Sequence, residues 1–285
     1  MSQPPAGNSR EIDILTASTL KHLRERWWGA EFTDFLRETL QPRAGARILD
    51  VGCGVGTAEV RLGQLGISQM RLFGVDLIEL RVREAVAAAG AHNIRARFAA
   101  ANACALPFRS GAFDSAFCIA VLQHLRDRAA GVRELARVTK PGGRVLVIEP
   151  DNAARYWYSS SDVGMRTFEL ATRFFAALEA LGPDGDLAVG PRISTMFPRL
   201  GIEPSAIRLF PVSVTRLGAP GAAVWAERRA IFDGALARVN DVSLKRVGAE
   251  YLASLEAYKA SAVAAGPQFV EIQSTMLFAT VGVKQ

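Results

Sequence analysis

The run Ile48-Leu49-Asp50-Val51-Gly52-Cys53-Gly54-Val55-Gly56-Thr57 is the part of the chain whose residue types and spacing most directly imply chemistry. An apolar strand delivers three glycines at alternate positions, and a helix starts directly after them. Such a turn lets a ligand lie against bare backbone, as in nucleotide-binding βα units. The dinucleotide pattern GxGxxG would put its third glycine at position 57, where this chain has Thr57; the glycine falls at Gly56 instead. Asp50, at the strand end, would repel a pyrophosphate but suits a cationic ligand. A second acid, Asp76, closes Gly74-Val75-Asp76-Leu77, twenty residues after Gly56. At that distance a carboxylate in nucleotide-binding folds accepts hydrogen bonds from ribose hydroxyls. Read alone, Asp76 is equally a surface acid or a helix N-cap.

A turn of this kind needs a parallel sheet to hold it. Short apolar runs alternate with amphipathic segments, which predicts strands at 47–51, 71–75, 97–101, 113–120 and 144–148, with helices at 57–65, 78–89 and 129–138 between them. Pro141-Gly142-Gly143 reads as the stop of the last of these helices. Ahead of the sheet, residues 1–10 read as a loose tail and 11–40 as helix, with Trp27 and Trp28 in it. Beyond Glu149 the expectation is a helix over 161–181, ended by Gly182-Pro183-Asp184-Gly185, and a shorter one over 193–200. A β-like run at 207–217, Ala-rich helical sequence over 222–265 and a last strand at 274–283 follow. The reading is one α/β domain over 41–285, with a helical insertion at about 220–266 and an N-terminal helical segment, 1–40, as a lid.

Composition narrows the function classes. The chain has 285 residues, 49% apolar and 22% charged, which is ordinary globular usage. No apolar run approaches the length of a membrane span, and the start lacks a basic segment followed by an apolar one, so the expectation is a cytoplasmic chain. Cys53, Cys104 and Cys118 lie in or beside apolar stretches and read as reduced thiols. His22, His92 and His124 are far apart, so no zinc site is expected. The net charge is +6, but the arginines are scattered and form no stripe with interleaved aromatics, so no nucleic-acid partner is expected.

Further segments follow the glycine turn and Asp76 in a set order: Asn102-Ala103-Cys104-Ala105-Leu106-Pro107-Phe108, Phe113-Asp114-Ser115-Ala116-Phe117, Leu122-Gln123-His124-Leu125, and Leu135-Ala136-Arg137-Val138-Thr139-Lys140-Pro141-Gly142-Gly143. Together they resemble the S-adenosylmethionine (SAM)-dependent methyltransferases of the seven-stranded Rossmann-like class, most closely the group with ubiquinone/menaquinone C-methyltransferases and many small-molecule methyltransferases. The resemblance covers about residues 40–150. It implies a doubly wound, mostly parallel sheet with an antiparallel last strand, which 274–283 would supply.

The resemblance also implies roles. Gly52, Cys53, Gly54 and Gly56 would hold the methionine moiety and ribose of SAM, and Asp76 both ribose hydroxyls. Leu77 would flank the adenine, with Ala103, Ile119 and Ala120 against the adenine and the methionine end. Position 102 is usually Asp in this family and accepts from the adenine amino group; Asn102 keeps a carbonyl for that bond but not the charge. Since the sulfonium already activates the methyl, alignment and exclusion of water can do most of the work. If a base is needed, His124 is the candidate; the alternative is that it only bonds the local backbone.

Substrate selection must come from outside this core. Arg155, Tyr156, Trp157 and Tyr158 follow the fifth strand and are expected on a loop over the pocket, to hold an apolar or cationic acceptor; packing under the next helix is the equal alternative. Trp28, with Trp27, is either a lid over the site or core. The 222–265 helices either wall the substrate cavity or make a homodimer contact. No metal is implied. The expected activity is methylation of a small molecule. The rivals are a nucleic-acid or protein methyltransferase of the same fold, a nicotinamide-dependent oxidoreductase, and a SAM-binding protein without turnover. The oxidoreductase is disfavoured by Asp50 and by the glycine spacing.

Overall fold

The computed structural model describes residues 27–180, 189–237 and 239–285, the side chains of 152–154 and 179–180 excepted. The expected tail at 1–10, most of the helix expected from residue 11, His22 and the Gly182–Gly185 stop lie outside the described residues. The elements are α1 (Ala30–Leu40), β1 (Arg47–Val51), α2 (Thr57–Gly63), β2 (Arg71–Asp76), α3 (Glu79–Ala91), β3 (Ala96–Ala100), β4 (Phe113–Ile119), α4 (Arg128–Val138), β5 (Thr139–Ser159), α5 (Asp162–Ala180), α6 (Val189–Met196), β6 (Ile202–Leu217), α7 (Ala222–Leu236), α8 (Val242–Ala265) and β7 (Val270–Lys284).

The strands form one seven-stranded sheet in the order β3-β2-β1-β4-β5-β7-β6. β1 pairs in parallel with β2 and β4, β2 with β3, and β4 with β5. The order reverses beside β1, and ligands in open α/β sheets bind at the carboxyl strand ends of such a switch point. β1 lies at the centre because Ile48, Leu49 and Val51 bury both of its faces. β6 and β7 run antiparallel: Ser205 Oγ donates to the Val281 carbonyl, and Ser213 Oγ to Ser274 Oγ, so residue numbers rise on one strand as they fall on the other.

The chain divides into two compact units. Of the described residues, the larger takes in 27–151, 189–210 and 276–285, and holds the sheet core, in which Leu49, Val51, Phe113, Ala116, Val145, Val147 and Ile193 pack together. The other takes in 152–180, 211–237 and 239–275, and includes the described part of the insertion expected at 220–266. Its own core joins Phe168, Phe174, Trp225, Phe232, Tyr251, Tyr258 and Phe269, with Phe232 and Tyr251 stacked at 3.8 Å. Inside that core Glu271 is fully buried. Its carboxylate takes Arg216 at 2.8 Å, the Tyr258 hydroxyl at 2.7 Å, and Arg228. The Arg228 guanidinium also lies over the Trp225 ring, 4.8 Å from its centroid.

Three expectations are corrected here. Trp27 and Trp28 precede helix α1 and are not in it; Gly29, extended at φ −74° and ψ 169°, is the residue from which the helix starts. Pro141-Gly142-Gly143 is not itself the stop of helix α4, which ends at Val138, but lies within β5. It falls where the β4–β5 register shifts, between the Phe113–Thr139 and Ser115–Arg144 pairs. The segment with Arg155, Tyr156, Trp157 and Tyr158 is not a loop but the continuation of β5 through Ser159. Alternation puts Tyr156 and Tyr158 on one face, both exposed, while Trp157 packs edge-on against Phe168 at 4.5 Å.

Candidate active site

At the carboxyl end of β1 the backbone turns through three left-handed glycines, Gly52 (φ 77°), Gly54 (φ 56°) and Gly56 (φ 78°). Only glycine takes these angles without strain. The turn is bonded to β2: the Gly52 and Cys53 amides both donate to the Val75 carbonyl, at 2.7 and 2.9 Å. A Cβ on Gly52 would collide with the branched side chain of Val121, and one on Gly56 would press on Ala85 at 3.0 Å, so close packing also selects glycine.

Asp76, 6% exposed, sits at the end of β2 and organises the turn from below. Its Oδ2 accepts the Gly54 amide at 2.9 Å and its Oδ1 the Ile78 amide at 3.0 Å. Each oxygen keeps a lone pair for a further donor. The next residue, Leu77, is 53% exposed.

Beside the turn lies a hollow lined by Trp27, Trp28, Asp50, Gly52, Cys53, Val55, Thr57, Ala58 and Ile119. It joins the expected Asp50, Gly52, Cys53, Ile119 and Trp28, and adds Trp27, Val55, Thr57 and Ala58. Among the described residues the lining has a carboxylate and no lysine or arginine. Trp28 is held edge-on against Phe32 at 5.3 Å, and Phe32 in the same way against Phe210.

Glu59, in the first turn of α2, is 1% exposed, and neither of its carboxylate oxygens has a hydrogen-bond partner among the described residues. Burial first, and then the nearby Asp50 carboxylate, push its pKa well above the usual carboxylate range. Burial and the carboxylates of Glu59, Asp50 and Asp76 push the Cys53 thiol up as well, so it is an inert lining group and no nucleophile. Cys118 is buried and Cys104 half-buried; all three are free thiols. Among the described residues no group of His, Cys, Asp and Glu is placed to hold a metal.

The loop after β3 is set from a distance. Arg137 and Glu134 form a close pair on α4, with Nε to Oε1 at 2.6 Å. Arg137 donates to the carbonyls of Phe108 and Leu106, at 2.7 and 3.0 Å, and Glu134 accepts the Leu106 amide at 2.6 Å. Ala103 packs partly against the sheet core. Asn102 is exposed, and its side-chain carbonyl accepts the Cys104 amide at 2.9 Å, which leaves it a second lone pair for a further donor.

β4 ends at Ile119, and Ala120 takes a left-handed φ of 55°. His124 closes the short helical turn Leu122–His124 that follows. It is half-buried and does not line the hollow. Arg155, Tyr156, Trp157 and Tyr158 belong to the other compact unit and are described there.

No described helix is long and apolar enough to cross a membrane. Residues 49–147 match the family described as Methyltransferase domain. The chain is 35% identical over 122 residues to the methyltransferase GfsG of Streptomyces halstedii, which covers 42% of this chain and 44% of that protein. It is 35% identical over 147 residues to the 27-O-demethylrifamycin SV methyltransferase of Amycolatopsis mediterranei, 47% of this chain and 53% of that one. The chain thus spans about half the length of these curated relatives. Its fold is similar to that of phosphoethanolamine N-methyltransferase 2 of Haemonchus contortus, solved in complex with SAM, with a TM-score of 0.51 at 18% identity over 94% of this chain and 57% of that one. The family match spans about a third of the chain, and both relatives, like the fold neighbour, are methyltransferases.

Proposed function

We propose that the chain transfers the sulfonium methyl of SAM to a small-molecule acceptor, with the glycine turn, Asp50 and Asp76 seating the cofactor. The observation that carries this reading is the chemistry of the donor set. Among the described residues the hollow beside the turn offers the carboxylate of Asp50 and no basic side chain, and Asp76 sets one partly free oxygen on the Gly54 amide of that turn and the other on the Ile78 amide. That set fits a ligand with a cationic methionine end and a ribose diol, and opposes a pyrophosphate. The SAM complex of the Haemonchus contortus fold neighbour and the names of the two bacterial relatives support the same cofactor and a small acceptor.

When bound, SAM supplies a methyl group already activated by its sulfonium. The residues then have to orient and to exclude water. Asp76 holds the ribose while keeping Gly54 in place, and the bare backbone of Gly52 and Gly54 lets the methionine end lie close. Leu77 and Ala103 bracket the base. In this reading the oxygen of Asn102 takes the Cys104 amide on one lone pair and the adenine amino group on the other. Trp27 and Trp28 shield the charged end and offer ring faces to a cation. Fixing donor and acceptor in line accounts for about 7–11 kcal/mol of barrier in well-oriented systems, which leaves little for a dedicated base to supply. His124 is the residue proposed to take a proton from a protic acceptor.

The test is transfer of isotopically labelled methyl from SAM to a panel of hydroxylated, amino and thiol small molecules, with nucleic acid and protein in parallel. Label on a small molecule is expected. Label on nucleic acid or protein alone would overturn the choice of acceptor.

A further inference from the structure

We propose that Glu149 is a positioning residue of this site, a buried carboxylate that gathers the backbone after β4 and so holds the wall of the glycine turn. The inference rests on the cofactor reading above. Glu149 lies on β5 and is fully buried. Its Oε1 accepts the amides of Val121 and Leu122, both at 2.7 Å, and its Oε2 accepts the Gln123 amide at 3.3 Å. Three successive amides thus converge on one side chain.

The need for such a collector follows from the chain path. The last sheet bond of this edge runs from the Ala120 amide to the Ile148 carbonyl, at 2.7 Å. Ala120 then takes its left-handed angle, which costs a non-glycine residue about 1–2 kcal/mol. The three amides beyond it have left the sheet and need an acceptor. An ionised carboxylate is the side chain with enough lone pairs to take them all. Burial raises the Glu149 pKa above the usual carboxylate range, and the three amides and the imidazole of His124, on the same turn, offset part of that rise.

What this turn carries makes the clamp functional. The branched side chain of Val121 fills the space directly over Gly52, so closely that a methyl on Gly52 would collide with it. Loosening 121–123 therefore frees the surface against which the cofactor turn is packed, and releases His124 with it.

The experiment compares Glu149→Ala, Glu149→Gln and Val121→Ala with the wild type, using S-adenosylhomocysteine (SAH) titration calorimetry and hydrogen exchange at the amides of 121–123. Circular dichroism melting confirms that each variant is folded. Glu149→Ala is expected to expose the amides and to weaken SAH binding about tenfold or more, the worth of one charge-assisted hydrogen bond. Glu149→Gln keeps a carbonyl for two of the amides, and is expected to restore most of the protection and most of the affinity. Val121→Ala leaves the clamp intact but empties the space over Gly52. It is expected to weaken SAH about threefold to tenfold, and to add little on top of Glu149→Ala. Exposed amides with unchanged SAH affinity in Glu149→Ala would overturn the proposal. If that variant does not fold, unchanged affinity in Val121→Ala overturns it instead. A folded wild type that binds no SAH at all would overturn the cofactor reading itself, and the role of Glu149 with it.

Discussion

The Asp76 carboxylate accepts the amide of Gly54 at 2.9 Å across a gap of 22 residues, so one side chain both shapes the glycine turn and faces whatever binds there. Replacing Asp76 with alanine removes that bond, the bond to Ile78 and the two sites proposed for ribose hydroxyls. Charge-assisted bonds are worth about 1.5–3 kcal/mol each, so SAH affinity is expected to fall about 100-fold or more. Asp76→Asn keeps one acceptor oxygen and is expected to lose about tenfold. Titration calorimetry of both variants reads this, and equal affinities across the series would refute the assignment.

Glu59 predicts an unusual pH dependence. Folded, it titrates well above the usual carboxylate range because burial and Asp50 oppose its ionisation; unfolded, it titrates within that range. Folding takes up a proton between those two values. The stability this group carries is therefore fully present in acid and is lost as pH rises toward the folded value. Glu59→Gln abolishes the titration, so urea melts from about pH 5 to pH 8 are expected to show a flatter stability profile than wild type. An unchanged slope would count against a protonated Glu59.

Glu134 works in the opposite sense. Its bond to Arg137 and the Leu106 amide hold its pKa below the usual range, so its contribution is present at neutral pH and is lost as pH falls through the folded value. The pair is partly exposed, at 33% for Arg137 and 15% for Glu134, which limits its worth. Glu134→Ala is expected to cost about 1–3 kcal/mol near pH 7, mostly from the unpaired Leu106 amide and Arg137. The loss is expected to shrink toward pH 3. A cost that does not vary with pH would contradict this.

In the second compact unit, Glu271→Ala removes one buried partner from each of two largely buried guanidinium groups and from the Tyr258 hydroxyl. Breaking a buried pair from one side typically costs about 3–5 kcal/mol, so a large drop in melting temperature is expected. Near-UV circular dichroism should follow it, because Tyr258 packs among Phe168, Trp225 and Phe269. A melting temperature within a degree or two of wild type would show that these charges contribute little.

How much of this was legible in the sequence depended on how local the signal was. Strand β1 reads directly, because a buried parallel strand is an unbroken apolar run, and Asp50, the glycines and Asp76 follow from it at short range. Glu59 carried a weak local signal, since it shares a helix face with the buried Leu62 three residues on. Glu149 carried none. Its partners lie 26 to 28 residues earlier, and only the converged backbone shows what it does. The same holds for Arg137, which bonds loop carbonyls 29 and 31 residues away. Strand β6 begins at Ile202, five residues before the expected start, because Pro204 is tolerated on an edge strand that lacks a partner on one side. The bond that Asn102 accepts from the Cys104 amide is a local one, since a short amide side chain readily bonds its own loop two residues on.

The most direct test of the account is calorimetric titration of the wild-type chain with SAM, SAH and NADH. The account predicts saturable binding of SAM and SAH at one site and no binding of NADH. It would be contradicted by a folded chain that binds NADH, or by one that binds neither SAM nor SAH.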